Sequence, residues 1–567
     1  VQTCALPIFI QKKDIKELRD RFYKDLEFGT GGLRGVIGSG NNRINIYVVR
    51  KAAQGFASYV NHQNHNKLQR NKIAIAYDSR NFSEIFAKEI CSVLAANNIE
   101  SYLFKYPQTT PILSFTIRHL SCQGGICITA SHNPPEYNGI KIYWNDGAQV
   151  VPPRDAEILN EMRQVKEYSS VKILSFQEGL NQNLIHFIDH SVENSYFETI
   201  KSLDFYFQKE HDLSICYTPL HGTGKKSAEK IFQIFGFKNF FIVPEQAEPD
   251  GKFPTVKKPN PEEADALNLA IEAASNKNSD LVLATDPDSD RLAVAIKDPI
   301  RSQGILKNQS KGEYVLLNGN QTGSLLIYFI LQKLSEQKTL KKNHKIVKTI
   351  VTSKLHEQIC ADFGIECFNT LTGFKWIAEL IGKWETDSPH FEFLFGTEES
   401  FGYMTATNIR DKDAISTMGI VCQMASYYLS KNKNLCDVLF DLYKTYGAWY
   451  EDLLSVDLYG EAGVEKIKTL MHTLRKHPES VLPASELSLK TDYLDPLIAE
   501  KYHLPVSDVL QFTLKDGSLI SVRPSGTEPK LKVYFSICTK LKNTEDALIA
   551  SIKRVNFYRT LFANKLS

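Results

Sequence analysis

The chain has 567 residues, 43% of them hydrophobic and 11% aromatic, and Lys+Arg 67 against Asp+Glu 65 leaves a formal net charge of +2. That length corresponds to roughly four ordinary domains and the apolar content to a soluble globular protein. The balanced charge speaks against nucleic acid or an anionic membrane as partner, and the longest apolar stretch, Leu325 to Leu331, is too short to cross a bilayer.

The chain opens Val1-Gln2-Thr3-Cys4 without a Met, so its start reads as truncated or mis-assigned over 1–10. Positive charge follows Cys4–Ile10 rather than preceding it, which makes a poor signal peptide. Phe28-Gly29-Thr30-Gly31-Gly32-Leu33-Arg34-Gly35 is Gly-rich with one Arg. It is neither a dinucleotide fingerprint nor a Walker loop, and on composition alone it is a flexible turn. A strand is expected over 72–78, then an amphipathic helix over 82–97 with Ile85, Phe86, Ile90, Val93 and Leu94 on one face.

Gly124 to Thr129 reads as a buried strand running into Ser131-His132-Asn133-Pro134-Pro135. Two prolines stop both ladder and helix, so Ser131 sits on a stiff loop at a strand's carboxyl end, where open α/β sheets bind ligands. A hydroxyl there, beside His132 and ten residues before Lys141, is placed like a nucleophile. By itself the segment reads better as plain turn chemistry, with Ser and Asn side chains bonding their own backbone.

The strand–loop–helix design returns at 213–220, through His221-Gly222-Thr223-Gly224, to 226–235, and again at 345–352 and 355–363. Strands alternating with helices at this spacing imply parallel, two-faced sheets and a weak internal repeat. Between these units the apolar run 281–284 precedes Asp286-Pro287-Asp288-Ser289-Asp290-Arg291. Carboxylates at i, i+2 and i+4 project to one side of an extended segment and repel unless a cation lies among them; hard oxygen ligands of this kind suit Mg²⁺. A calcium loop is excluded, because its Gly and Glu positions hold Arg291 and Lys297. The segment 393–395 ends in Gly396-Thr397-Glu398-Glu399-Ser400, whose Glu398 and Ser400 can bond sugar hydroxyls.

Beyond about Ala448 the pattern changes to strands near 453–458 and 518–538 with helices over 463–476 and 545–562, an α+β arrangement. Within it, Arg523 can fork onto a phosphate, Ser525 and Thr527 offer hydroxyls, and Gly526 lets backbone N–H groups approach an anion. Long loops are expected near 152–154 and 248–261. The ten cysteines are scattered without zinc or redox spacing. Cys127, Cys216 and Cys360 read as small core residues, a usage that suits the reducing cytoplasm.

Taken together, these motifs resemble the α-D-phosphohexomutase family of phosphoglucomutases and phosphomannomutases, in the family's order and over essentially the whole chain. Family members of the larger branch usually extend further upstream than Val1. The resemblance implies three similar α/β domains with mixed, mainly parallel sheets and a smaller C-terminal α+β domain, divided here as 1–195, 196–310, 311–445 and 446–567. It makes Ser131 the serine that is phosphorylated and passes its phosphoryl group to the sugar. Asp286, Asp288 and Asp290 become Mg²⁺ ligands, with the seryl phosphate as a further ligand.

By the same resemblance Arg34, His132, Lys141 and Arg291 are active-site basic residues, and Glu398 and Ser400 contact sugar hydroxyls. Arg523, Ser525, Gly526 and Thr527 grip the non-transferring phosphate. Lys412 lies near the sugar, and Thr372-Gly373-Phe374-Lys375 is a specificity loop. The candidates for general base are Lys141 and His132, and the resemblance favours Lys141; a lysine base requires a depressed pKa, which surrounding cations or burial can supply.

The expected reaction interconverts glucose 1-phosphate and glucose 6-phosphate through glucose 1,6-bisphosphate; the Glu-Glu-Ser form of the sugar loop resembles glucose-type members. A monomer or weak homo-oligomer is expected, acting on a small sugar phosphate. Rival readings are a phosphopentomutase, an aspartyl-phosphate phosphatase with Asp286 as nucleophile, and an inactive sugar-phosphate binding protein.

Overall fold

The computed structural model describes residues 15–26, 28–29, 32–63, 69–206, 208, 211–458, 460–525 and 530–566. The doubts about 1–10 therefore concern residues outside those described. The chain divides into two compact units. One holds the chain through Ala295 with Phe374–Pro389 and Gly402–Ser426; the other holds Ile296–Gly373, His390–Phe401 and the chain from Tyr427 onward.

The first unit contains a seven-stranded sheet of β1 (Phe28–Gly29), β2 (Gly32–Val36), β3 (Lys72–Tyr77), β4 (Glu100–Leu103), β5 (Gly124–Ile128), β6 (Tyr137–Trp144) and β7 (Ile185–Phe187). Its order is β1-β2-β6-β5-β3-β4-β7. Strands β5, β3, β4 and β7 run parallel, while β6 returns antiparallel beside β5 and β2. Helices Ile46–Gln63, Ser83–Ala96 and Arg154–Gln164 share a core with these strands, including Val49, Phe56, Ile75, Ile90, Leu94, Ile126 and Ile158. Every residue of β5 is buried, the two-sided burial of a central strand in a covered sheet.

The same unit carries β8 (Ile215–Thr218), β9 (Phe240–Ile242) and β10 (Leu281–Thr285), with β8 parallel to both neighbours, and β11 (Leu292–Lys297) follows. In the second unit β12 (Ser310–Lys311) and β13 (Tyr314–Leu317) form an antiparallel hairpin. There β14 (His344–Thr349) pairs parallel with β15 (Glu366–Thr370) and β16 (Glu392–Glu398). The short β17 (Gly402–Met404) belongs to the first unit.

The C-terminal sheet is built from β18 (Ala448–Asp457), β19 (Leu487–Asp492), β20 (Leu510–Leu514), β21 (Leu519–Pro524) and β22 (Lys530–Thr539), in the order β18-β22-β21-β20-β19, antiparallel throughout. Helices Gly460–Lys476 and Thr544–Leu566 share its core through Leu470, Leu474, Val555 and Phe562. The α/β architecture with a distinct C-terminal α+β part is as expected.

The three strand–loop–helix units end close to their expected bounds, at helices Ser83–Ala96, Gly224–Ile234 and Leu355–Asp362. The apolar run 325–331 lies inside helix Gly319–Glu336, where Leu325, Leu326, Ile327, Phe329, Ile330 and Leu331 are buried. Of the two long loops expected, one fails. The loop anticipated at 152–154 is a short turn, and a helix starts at Arg154. Proline suits the entry to a helix, where its missing N–H has no intrahelical partner. No helix among the described residues is long and apolar enough to cross a membrane. The nine cysteines described are free, eight of them buried.

Candidate active site

Ser131 follows β5 as expected, and its backbone is left-handed at φ 49°. Three local bonds set that bend. The Ser131 N–H donates to Thr129 Oγ1 at 2.8 Å, Asn133 N–H to the Ala130 carbonyl at 3.1 Å, and Tyr137 N–H to the Pro134 carbonyl at 3.0 Å. The hydroxyl is nearly inaccessible, donating to Asp286 Oδ2 at 2.6 Å, with His132 Nδ1 at 3.1 Å. Burial first, then the cations Arg291, Arg34, Arg80 and Lys141, holds the His132 pKa well below its usual value, so the ring is neutral.

The Asp loop leaves β10 as a turn and not as the extended segment expected. Ser289 N–H donates to the Asp286 carbonyl at 2.9 Å, and the N–H groups of Asp290 and Arg291 both donate to Asp286 Oδ1 at 3.1 Å. Folding back on Asp286 is what gathers the carboxylates: one oxygen from each of Asp286, Asp288 and Asp290 lies within 4.8 Å of the others. His221-Gly222-Thr223 braces the loop from behind. Thr223 donates to the Pro287 carbonyl through N–H and Oγ1, each at 2.9 Å. A Cβ on Gly222 would lie 2.4 Å from Pro287 Cα, so only glycine allows the approach.

Lys141 lies on β6 opposite Cys127 of β5, and antiparallel pairing carries it back to the site. Its Nζ is 2.7 Å from both Asp288 Oδ2 and Asp290 Oδ2. Burial disfavours the ammonium, but Asp288 and Asp290 outweigh it and raise the pKa well above the ordinary lysine value. That is opposite to the depressed pKa expected of a lysine base. Lys412 Nζ stands 3.4 Å from Asp290 Oδ2. Burial opposes ionisation of Asp290, yet Lys141 and Lys412 hold it below the usual carboxylate range. Asp286 goes the other way, pushed well above that range by burial and by Asp290 and Asp288.

Asp288 Oδ1 and Asp290 Oδ1 are buried and accept no hydrogen bond from the described residues. Three clustered carboxylates with such oxygens can hold a hard divalent cation. Arg34, on β2, reaches Asn133 Oδ1 at 3.1 Å, and Arg291 pairs with Glu262. The first unit thus brings together Ser131, His132, Arg34, Lys141, the three aspartates, Arg291 and Lys412.

The remaining expected residues belong to the second unit. Glu398 closes β16 and is buried. Its neighbour Glu399 accepts from Thr349 Oγ1 and Thr352 Oγ1, both at 3.2 Å, and Ser400 lies in the turn that follows. Thr372 and Gly373 form a bend, Gly373 at φ 109°. Arg523 sits at the end of β21 and hydrogen-bonds Tyr534, whose phenol burial pushes far up. Ser525 N–H donates to the Lys530 carbonyl at 2.8 Å. Gly526 and Thr527 lie outside the described residues.

Sequence reading missed two contributors. Thr110 donates to Asp288 Oδ2 at 3.0 Å, and its N–H to the Asp288 carbonyl at 2.9 Å. Arg80 is wholly buried against the Ser131 loop. The available signal was position: Asp78-Ser79-Arg80 follows β3 just as the Ser131 loop follows β5.

The chain matches family profiles described as phosphoglucomutase/phosphomannomutase, alpha/beta/alpha domain I over 25–169, domain II over 194–300 and domain III over 318–446, and the C-terminal domain over 475–545. It is 34% identical over 546 residues to a phosphoglucomutase of Staphylococcus aureus (strain MSSA476), covering 94% of this chain and 93% of the relative. Two solved structures share the fold. The Paramecium exocytosis-sensitive phosphoprotein pp63/parafusin, a phosphoglucomutase in open form, superposes with TM-score 0.67 at 19% identity, covering 95% of this chain and 96% of that one. A phosphoglucomutase/phosphomannomutase family protein of Burkholderia thailandensis gives 0.64 at 17% identity, covering 94% and 97%.

Proposed function

Because the chain belongs to the phosphoglucomutase/phosphomannomutase family, we infer that it transfers a phosphoryl group between two positions of one sugar through Ser131, interconverting glucose 1-phosphate and glucose 6-phosphate. It is a hexose-phosphate mutase, an isomerase acting by phosphoryl transfer. The observation that carries the assignment to Ser131 is its hydroxyl, 2.6 Å from Asp286 at the edge of the aspartate cluster. We keep four domains at 1–195, 196–310, 311–445 and 446–567; the segments matched by the family support that division.

Asp286, Asp288 and Asp290 would hold Mg²⁺ with an oxygen of the Ser131 phosphate, and the bound ion supplies neutralisation of the charge that spreads over the transferring group. Arg34 and Arg291 add fixed positive charge. Two groups are the candidates for taking the proton of the attacking sugar hydroxyl. His132 is neutral, whereas Lys141 is paired with Asp288 and Asp290, the carboxylates that would turn to the ion. Glu398 and Ser400 bond sugar hydroxyls, and Lys412 and the Thr372-Gly373 bend tune recognition. Arg523, Ser525, Gly526 and Thr527 grip the phosphate that is not being transferred. The bisphosphate, glucose 1,6-bisphosphate, turns over before the second transfer returns a phosphoryl group to Ser131.

A panel of glucose, mannose and ribose 1-phosphates tests the substrate. Glucose 1-phosphate should give the highest kcat/KM, because a site built to bond adjacent equatorial hydroxyls leaves buried polar groups unpaired when one is misplaced. A mannose preference would overturn the roles of Glu398 and Ser400; a pentose preference would overturn the glucose assignment. Arg523→Ala removes a charge-assisted contact of about 2–5 kcal/mol. It should raise KM sharply and leave Ser131 phosphorylatable by glucose 1,6-bisphosphate. An unchanged KM would refute the phosphate-gripping role of this loop.

A further inference from the structure

We propose that Arg80 is a positioning residue for phosphoryl transfer: its guanidinium locks the backbone of the Ser131 loop, and Phe253 locks the guanidinium. The inference rests on the assignment of Ser131 as the phosphorylated residue. Arg80 donates through Nη2 to the Ser131 carbonyl at 2.5 Å and to the Asn133 carbonyl, and through Nη1 to the carbonyls of Pro134 at 2.8 Å and Tyr137 at 3.0 Å. One side chain thus collects four inward-facing carbonyls from seven consecutive residues. Buried carbonyls need donors, and Pro134 and Pro135 have no N–H with which to build a local ladder. Without Arg80 the left-handed bend at Ser131 would lose the bonds that hold the far side of the loop.

The anchor is itself anchored. Arg80 Nε lies 3.4 Å from Asp78 Oδ2, both side chains fully buried, and Asp78 Oδ1 accepts from the Arg80 N–H at 2.9 Å and from Ser83 Oγ at 2.8 Å. The Phe253 ring centroid lies 5.0 Å from the guanidinium carbon, close enough for cation–π attraction. Phe253 is brought there by the irregular segment 248–261. Gly251 forms an isolated bridge with Arg80, and a Cβ at Gly251 would fall 2.3 Å from Asn81 N. The segment that follows the β8–β9 unit therefore touches the support of the seryl loop.

All four bonds end on main-chain carbonyls, so Arg80 reaches none of the side chains assigned to substrate. Its loss should act on the reacting geometry and spare ground-state binding. Lysine cannot replace it, since an ammonium lacks the planar fork. Arg80→Lys is expected to lower kcat by about 10²-fold, the effect of misplacing a reacting group by about an ångström. KM for glucose 1-phosphate should stay within about twofold, and phosphorylation of Ser131 by glucose 1,6-bisphosphate should slow in parallel with kcat.

Phe253→Leu keeps every Arg80 hydrogen bond and should lower kcat about three- to tenfold at constant KM. If Arg80→Lys does not fold, this variant decides. A wild-type kcat in whichever variant is folded, or a KM that rises as far as kcat falls, overturns the proposal. Ser131→Ala assayed alongside keeps the two ideas apart: an active Ser131→Ala removes the premise, whereas an inactive one beside a normal Arg80→Lys removes the Arg80 role alone.

Discussion

Ser131→Ala is expected to reduce kcat on the order of 10⁵-fold or more, the scale at which an enzyme loses its nucleophile. The replacement removes the hydroxyl that stands 2.6 Å from Asp286. Alanine carries no acceptor for a phosphoryl group, and the left-handed backbone at φ 49° leaves no neighbouring side chain in the same place. Protein incubated with glucose 1,6-bisphosphate should gain one acid-stable phosphate, mapping to Ser131, and the variant should gain none. A labile acyl phosphate on Asp286 would instead mark the aspartyl-phosphate alternative. Near-normal mutase activity in Ser131→Ala would end the phosphoserine mechanism.

The second large effect concerns the Asp loop. Chelation should abolish activity and added Mg²⁺ should restore it. Asp288→Asn should lower kcat by about 10²–10³-fold, since it removes a charged ligand where transition-state charge gathers. Asp288 also accepts from Thr110 and Lys141, so the substitution loosens the partners that orient the cluster. Binding of Mg²⁺ by calorimetry, free of any turnover, should weaken in the same variant. Full activity in chelator-treated, metal-free protein would contradict the assignment.

Much of this molecule is legible in one sequence, and the boundary of legibility is physical. Segments 72–97, 213–235 and 345–363 were readable because apolar alternation and helical periodicity are local properties. The aspartate cluster was readable as a cluster, yet its geometry was not. Whether Asp286 to Asp290 extends or turns depends on Asp286 Oδ1 capturing the N–H groups of Asp290 and Arg291. Lys141 could be suspected from proximity in sequence, but its place between two carboxylates follows from the register of β6 on β5.

Arg80 was invisible for another reason. Its four bonds to the seryl loop all end on main-chain carbonyls, which carry no residue type, so nothing in the sequence of that loop betrays it. At 152–154, proline-rich composition suggested a loop where proline leads into a helix.

The burial of the cysteines makes the protein its own unfolding reporter. Burial pushes the thiols of Cys91, Cys122, Cys216 and Cys538 up to about 12, so thiolate, the species that disulfide reagents consume, is scarce in the folded chain. A colorimetric thiol reagent should therefore label the eight buried cysteines slowly in the native protein and all of them in the denatured protein. Cys127, on β5 directly beneath the seryl loop and 3.6 Å from Thr110 Oγ1, reports on that loop in particular. In any variant discussed above, a Cys127 that reacts while the other buried thiols stay silent marks a loop that has come loose in an intact fold. General reactivity marks a fold that has failed.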